Sequence, residues 1–588
     1  MLRLTATIFI ALFAGPLLGA EASKMYIVDD DGFAQYHSIG EAVAVANDGD
    51  AIYVKPGTYQ EHIVLNKSVT LMPLRGEEGI VNLAGDGSDI GIEVLADGCI
   101  IEGLTITDFA GPGIFVGSRG NEIRKNVLVD NVHGIYLNGT SGNLLEMNRE
   151  QGGYCGIVLL ASRENTIKGN VAEGSILAGA LLNSSSKNGI SESEAKGCTR
   201  GIYLITNSME NRVEGCSMID CGNGIHLEKS SQGNVIKGCD FENSTTSIAL
   251  NAVSKNQVQK NSIANSTNGI ALFSSAENSI AENGFVGVDT GIMISEASVG
   301  NVLTNNKIEK TNYGIVITES SANKLEGNVL AGVRWGLYVD GSTEESFDNQ
   351  ISESNQIDGK PILYLYGRSN EEISGRESGH ITLASCENCI VENSSVANDA
   401  LFVYSSRGCK IQNNVVSGGY GMRLQGSDEN EIVGNQACDN RYSGILLIDS
   451  ERNLIGKNTL CRNEMDGLSL AESDSNIVNM NTAEANKDTG IRLLSSNGTE
   501  ITENSVVGNG VGIELSRSAG CIVYRNNLIE NVVQAKDDGE NLWDWGALKG
   551  GNYWSDHSCQ GNPCQSMPRA IGNLTADYYP FGERDGWA

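Results

Sequence analysis

The sequence predicts an all-β protein, a single-stranded right-handed parallel β-helix of about 20 coils of 22–23 residues, with an N-terminal capping helix and a C-terminal cap. Three observations carry this. Gly-Ile-x-Leu or a close variant begins at Gly113, Gly134, Gly156, Gly179, Gly201 and Gly224. It recurs to Gly336, and again from Ala400 to Gly512, at steps of 21 to 23 residues. That period is too short for a helix pair, and Gly, Asn and Ser in every copy disfavour helix. Two asparagine series run in phase with it: Asn121, Asn143, Asn165 and onward, and five residues later Asn126, Asn148, Asn170 and onward. Stacked coils turn each series into a column with rungs ~4.8 Å apart, where amides bond to one another and Asn accepts a left-handed corner. Between the columns, Ile, Val and Leu alternate as in strands with one inward face, for example Ile123, Ile167 and Val213. Parallel crossovers favour the right-handed sense.

The elements follow in order. Residues 1–22 read as a secretory signal: Arg3, an apolar run from Leu4 to Leu18, and the small-x-small site Ala20-Glu21-Ala22. Residues 23–98 form the N-terminal cap and first coils. Ser38 and Glu41 make a capping box for a helix over 39–47 that covers the open end of the first coil. Repeats fill 99–340 and 386–535. The period breaks over 341–385, where Ile362-Leu363-Tyr364-Leu365-Tyr366 reads as an added strand pair or protrusion. Residues 536–588, which hold three of the five Trp, form the C-terminal cap.

Asp+Glu is 73 against Lys+Arg 41, a net charge of −32 that excludes nucleic acid as a partner. It suits a solvated rod or a divalent-cation surface. No segment after the signal is long and apolar enough to span a membrane. Fourteen cysteines in an exported chain raise the question of disulfides. Cys559 and Cys564 close a short loop. The repeat register stacks Cys216 on Cys239, Cys198 on Cys221 and Cys438 on Cys461, within disulfide reach. Free-thiol ladders are the alternative. Cys386 and Cys389 look like half a metal site with no second half, so zinc is not expected.

Residues 31–71, DGFAQYHSIGEAVAVANDGDAIYVKPGTYQEHIVLNKSVTL, resemble the opening of pectin-lyase-fold proteins. The NxIxxNxI…GIxLxxS repeats resemble the NosD-like family, whose repeats are called carbohydrate-binding and sugar-hydrolase repeats. IDGKPILYLYG (357–367), GGNYWSDHS (550–558) and ADYYPF (576–581) resemble segments of archaeal cell-surface members. The resemblance implies an exported or cell-surface β-helix. Related endings carry an Asp-rich, calcium-like loop after Tyr-Trp-Ser-Asp. Here HSCQGNPCQS replaces it, which weakens a C-terminal calcium site.

Three functions follow. The first is a surface scaffold or carbohydrate binder without turnover. The position two residues after each repeat Gly projects outward and carries Phe115, Tyr136, Tyr203, His226 and Tyr338, rings that could pack on sugar faces. A covered apolar stripe explains them equally. The partner is then an extracellular or cell-wall polysaccharide, or another copy of the chain in a surface layer. The second is a polysaccharide lyase, hydrolase or epimerase. Asp439, Arg441 and Asp220 are its weak catalytic candidates, and isolated corner residues explain them as well. The third is the copper handling that the family name implies. Copper sites cluster His, Met or Cys, and the six His here are scattered. The expectation is a secreted, cell-surface or periplasmic protein with no identified cofactor, calcium as the one candidate ion, and copper disfavoured.

Overall fold

The computed structural model describes residues 23–572 and 575–588. The expected signal segment, 1–22, lies outside them. The described chain is nearly all β, a parallel β-solenoid of about 24 turns. A typical coil has one long strand and two three-residue strands, as in His133–Asn138, Leu144–Glu146 and Arg149–Gln151. Each pairs in parallel with its equivalent one coil on: Ile135 with Ile157, Leu145 with Ile167, Glu150 with Ala172. The apolar alternation therefore becomes columns of like residues inside the tube. Each fully buried aliphatic side chain contributes about 1.5–3 kcal/mol.

At most repeats the glycine is required by space rather than by dihedral angle, Gly421 (φ 82°) being an exception. A Cβ on Gly269 would sit 2.5 Å from the Gly291 carbonyl oxygen and 2.6 Å from the Phe285 ring. The long strand thus starts where the inward side chain of the neighbouring short strand needs the room. The helix Ile39–Val45 is capped by Ser38, whose Oγ accepts the Glu41 N–H at 3.2 Å. It lays Ile39, Ala42 and Val43 over the first core.

The asparagine columns form as amide ladders. Asn278 Nδ2 donates to Asn301 Oδ1 at 3.0 Å, Asn301 to Asn323 at 3.0 Å, and the same oxygens accept backbone N–H groups. The left-handed role expected of these asparagines holds for Asn388 (φ 52°) and Asn393 (φ 50°) and is corrected for the others. The left-handed residue is the one before the ladder, such as Lys125 (φ 56°) or Met147 (φ 54°). That bend turns the next side chain inward, where Asn meets four backbone and amide partners. A third ladder, Asn440–Asn463–Asn486–Asn509–Asn531, closes the remaining corner in the C-terminal half. Its spacing, five residues after the second series, was visible in the sequence. Asn301→Ala should leave the Asn278 N–H without an acceptor in a buried corner and its side-chain amide with the Val253 carbonyl alone. We expect a loss of about 3 kcal/mol, read as faster hydrogen exchange in the flanking coils.

Two of the four cysteine pairs are bridged, Cys438–Cys461 and Cys559–Cys564. Cys216–Cys239 and Cys198–Cys221 are not, which corrects that expectation. Their thiols replace corner amides and donate to carbonyls of the preceding coil: Cys216 to Ile190 at 3.7 Å, Cys239 to Val213 at 3.7 Å, Cys198 to Ala172 at 3.7 Å, Cys221 to Ala195 at 3.5 Å. Cys438 and Cys461 instead face each other in register on paired strands. Alkylation of the unfolded, unreduced protein should label the ten other cysteines and no more.

The decisive feature is a reversal at 357–360. The first stack ends with the long strand Trp335–Asp340, a 3-10 turn Glu344–Phe347 and the short strand Gln356–Ile357. Asp358 (φ 49°) and Gly359 (φ 78°) then make a tight turn into Lys360–Tyr366, which pairs antiparallel with 356–357. Lys360–Tyr366 is the first long strand of a second stack, continued by His380–Ala384, Ala400–Tyr404 and Gly421–Gln425. These opening strands are buried on both faces. Ile362, Tyr364, Phe402 and Tyr404 belong to the core of the first stack, while Leu363, Ile381, Leu401 and Val403 belong to that of the second. The outer face of one solenoid thus plugs the open end of the other. The segment 341–385 holds this elbow. At the far end Trp543, Trp554 and Ile571 close the second core.

Candidate functional site

The elbow forms a cleft of about 830 Å³ between the corner loops of the first stack and the opening coils of the second. Its walls include Asp289, Lys310, Thr311, Asn312, Arg334, Asp358, Asn398 and Arg441. An aromatic cavity of about 220 Å³ also lies at the elbow, lined by Tyr313, Trp335, Tyr338, Asp399, Phe402, Tyr420 and Tyr442. Arg334 and Arg441 stand beside the Trp335 ring that lines it.

The rings are interlocked. Tyr420 and Tyr442 stack in parallel with centroids 4.3 Å apart, and Trp335 meets both edge-on at 5.3 and 5.2 Å. Trp335 and Phe402 are buried, Tyr338, Tyr420 and Tyr442 are half-buried, and Tyr313 is exposed. The Arg334 and Arg441 guanidiniums lie 5.2 and 5.7 Å from the Trp335 ring centroid. Arg441 also donates to the Arg334 carbonyl at 3.2 Å across the elbow. The Cys438–Cys461 bridge anchors the loop that carries Arg441 and Tyr442.

Behind the rings lies a polar layer. Tyr338 donates to Asp340 at 2.6 Å and accepts from Arg423 at 3.2 Å. Burial, with Asp340 beside it, pushes the Tyr338 phenol up to about 12. Asp399 accepts the Leu337 N–H at 3.2 Å, with His380 Nδ1 at 3.5 Å from its carboxylate. In this layer His380 Nδ1, Arg423 Nε and the Tyr404 hydroxyl are buried without a hydrogen-bond partner.

The sequence-derived candidates fare differently. Tyr338 reaches the elbow. Phe115, Tyr136, Tyr203 and His226 stand outward on the long-strand sheet of the first stack, far along the chain from it. Phe115 and Tyr136 stack at 6.0 Å and are half-buried. Tyr203 and His226 stack at 5.2 Å and are nearly covered, with Arg200 over Tyr203 and bonded to His226 at 3.1 Å. Burial lowers the His226 pKa. Asp439 and Arg441 do not act together. Asp439 is held bidentately by Arg462 at 2.7 and 2.8 Å, and that hydrogen-bonded partner lowers its pKa, whereas Arg441 turns into the cleft. Asp220 is a left-handed corner residue (φ 54°) bonded by Asn243 at 3.2 Å, with no tie to either. Trp335, Tyr420 and Tyr313 were missed, because they converge only across the reversal.

Among the described residues, one group of three acidic, His or Cys side chains brings its ligand atoms within 4.8 Å, namely Asp29, Asp30 and Asp31. Its oxygens suit hard ions, not copper, and Asp29 is already paired with Lys55 at 3.1 Å. This cluster therefore does not fit a copper centre.

No protein among curated sequences matches the chain. Solved structures give likenesses of low score. The catalytic domain of a GH87 alpha-1,3-glucanase in complex with nigerose has a TM-score of 0.39 and 14% identity over 58% of this chain and 70% of that one. The Dettilon tailspike protein has 0.38 and 15% over 52% of this chain, which spans 64% of the tailspike. A variant of the periplasmic alginate epimerase AlgG has 0.26 and 13% over 57% of this chain and 76% of that one. At these scores they carry no argument about chemistry. The family model described as "Periplasmic copper-binding protein (NosD)" matches residues 44–236, 204–367 and 347–559, nearly the whole described solenoid, and the chain belongs to the NosD family.

Proposed function

We propose that this chain is an exported, surface-exposed β-helix that binds carbohydrate in the elbow cleft without turning it over. The observation that carries this is the cleft itself. Stacked aromatic rings stand beside amide, hydroxyl and guanidinium groups, the pairing that holds a sugar ring by its face and its hydroxyls together. Export is supported by the family description, by the N-terminal sequence and by two disulfides. No described helix is long and apolar enough to cross a membrane. Copper binding, the property in the family's description, is disfavoured: the one cluster of three acidic, His or Cys side chains among the described residues is Asp29, Asp30 and Asp31, whose oxygens suit hard ions. Catalysis by Asp439 with Arg441 is disfavoured because Arg462 occupies Asp439.

The test is a panel of acidic and neutral polysaccharides incubated with residues 23–588, with retention and product followed together. We expect retention without reducing ends or unsaturated uronate, and a loss on the order of tenfold in Tyr442→Ala. Product formation would show an enzyme. No retention would leave self-association in a surface layer as the better reading.

A further inference from the structure

We infer that the elbow cleft selects an anionic glycan, its acid group held by Lys310, Arg334 and Arg441. This rests on the carbohydrate reading above and names the ligand class. The chain carries a net charge of −32, so its general field repels a polyanion. Against that background three cations line one cleft, from the first stack (Lys310, Arg334) and the second (Arg441). Elsewhere on the rod many cations stand opposite a carboxylate on a neighbouring coil, as Lys255 does with Glu277 or Arg407 with Glu429. Lys310, Arg334 and Arg441 are not ion-paired with any described carboxylate. The two acids of the cleft are already engaged: Asp289 by the Asn312 amide at 2.6 Å, Asp358 by the Gly332 N–H at 2.9 Å and by the Asn398 amide at 3.4 Å.

The geometry suits the ligand. Both guanidiniums are steered by the Trp335 ring, and Arg441 spends one nitrogen on the Arg334 carbonyl, which leaves the rest of its fork free. A planar fork pairs bidentately with a carboxylate or a sulfate ester. The aromatic cavity adjoins these cations through Trp335, whose ring both guanidiniums approach.

Polygalacturonate, dextran sulfate and dextran separate the arms. We expect the protein to retain one or both acidic polymers at least tenfold more tightly than dextran, and the acid preferred identifies carboxylate or sulfate as the group recognised. Replacing Lys310, Arg334 and Arg441 together by Gln should collapse that acidic-to-neutral ratio by tenfold or more. A control triple outside the cleft, Arg119→Gln with Lys457→Gln and Lys487→Gln, removes the same charge and should leave the ratio in place. Equal retention of dextran and the acidic polymers, or equal effects of the two triples, overturns the anionic inference while the carbohydrate reading stands. Retention of none of the three polymers removes both.

Discussion

Glu150→Met should make the protein more stable at pH 7 by on the order of 3 kcal/mol, and by more at pH 9. Glu150 occupies an inward position of a short strand, where neighbouring coils carry Leu128 and Ala172. It is buried among Ile157, Ala172, Ala195 and Met218, and neither carboxylate oxygen has a hydrogen-bond partner. Burial raises its pKa from 4.5 to about 8, so the folded protein holds it neutral. The sign follows directly. Below pH 4.5 folded and unfolded chains both carry the proton and no penalty arises. Between 4.5 and about 8 only the folded chain binds it, so stability falls as pH rises. Above about 8 the penalty levels off. Urea titrations of the wild type and of Glu150→Met at pH 5, 7 and 9 give the difference, which should grow with pH. Glu150→Gln should also lose the pH dependence, yet gain less, because its amide stays unsatisfied. A difference independent of pH would show that Glu150 is ionised or solvated in the fold.

Phe402→Ala and Leu401→Ala should loosen different halves of the molecule although the residues are adjacent. Phe402 is buried against Tyr338, His380, Tyr404 and Tyr420 and belongs to the core of the first stack. Leu401 points the other way into the second. Each truncation should cost about 3–5 kcal/mol. Hydrogen exchange should quicken across residues 290–357 for Phe402→Ala and across 380–450 for Leu401→Ala. Tyr404→Phe serves as the control. It removes a buried hydroxyl without a partner and should be neutral or stabilising. If both alanine variants loosen the same coils, the strand 400–404 does not divide two cores.

The sequence by itself determined the solenoid. The 22-residue period, the glycine at most long strands and the asparagine columns are local demands: room for an inward side chain, and partners for corner amides. Each coil meets them only with its neighbours, so they recur in register and can be read off one chain. Glu150 was legible for the same reason, as a charge at an apolar register position, and so was the third asparagine ladder. The disulfide pattern was half legible. A short loop brought Cys559 to Cys564 and register brought three further pairs into reach, but side-chain direction chose between those three. Cys438 and Cys461 face each other on paired strands, while Cys216, Cys239, Cys198 and Cys221 turn to backbone carbonyls.

Only the tertiary structure decided the site. The strand 360–366 reads as a run of apolar residues whether it protrudes or is buried on two faces. Its reversal at Asp358-Gly359 folds one solenoid's outer face onto the other's end, and that contact brings Trp335 to Tyr420 and Tyr442, and Arg334 to Arg441, across about a hundred residues. A repeat specifies contacts at one period along the chain. It carries no signal for a contact between two stacks, because that contact is made by the residues at which the period fails.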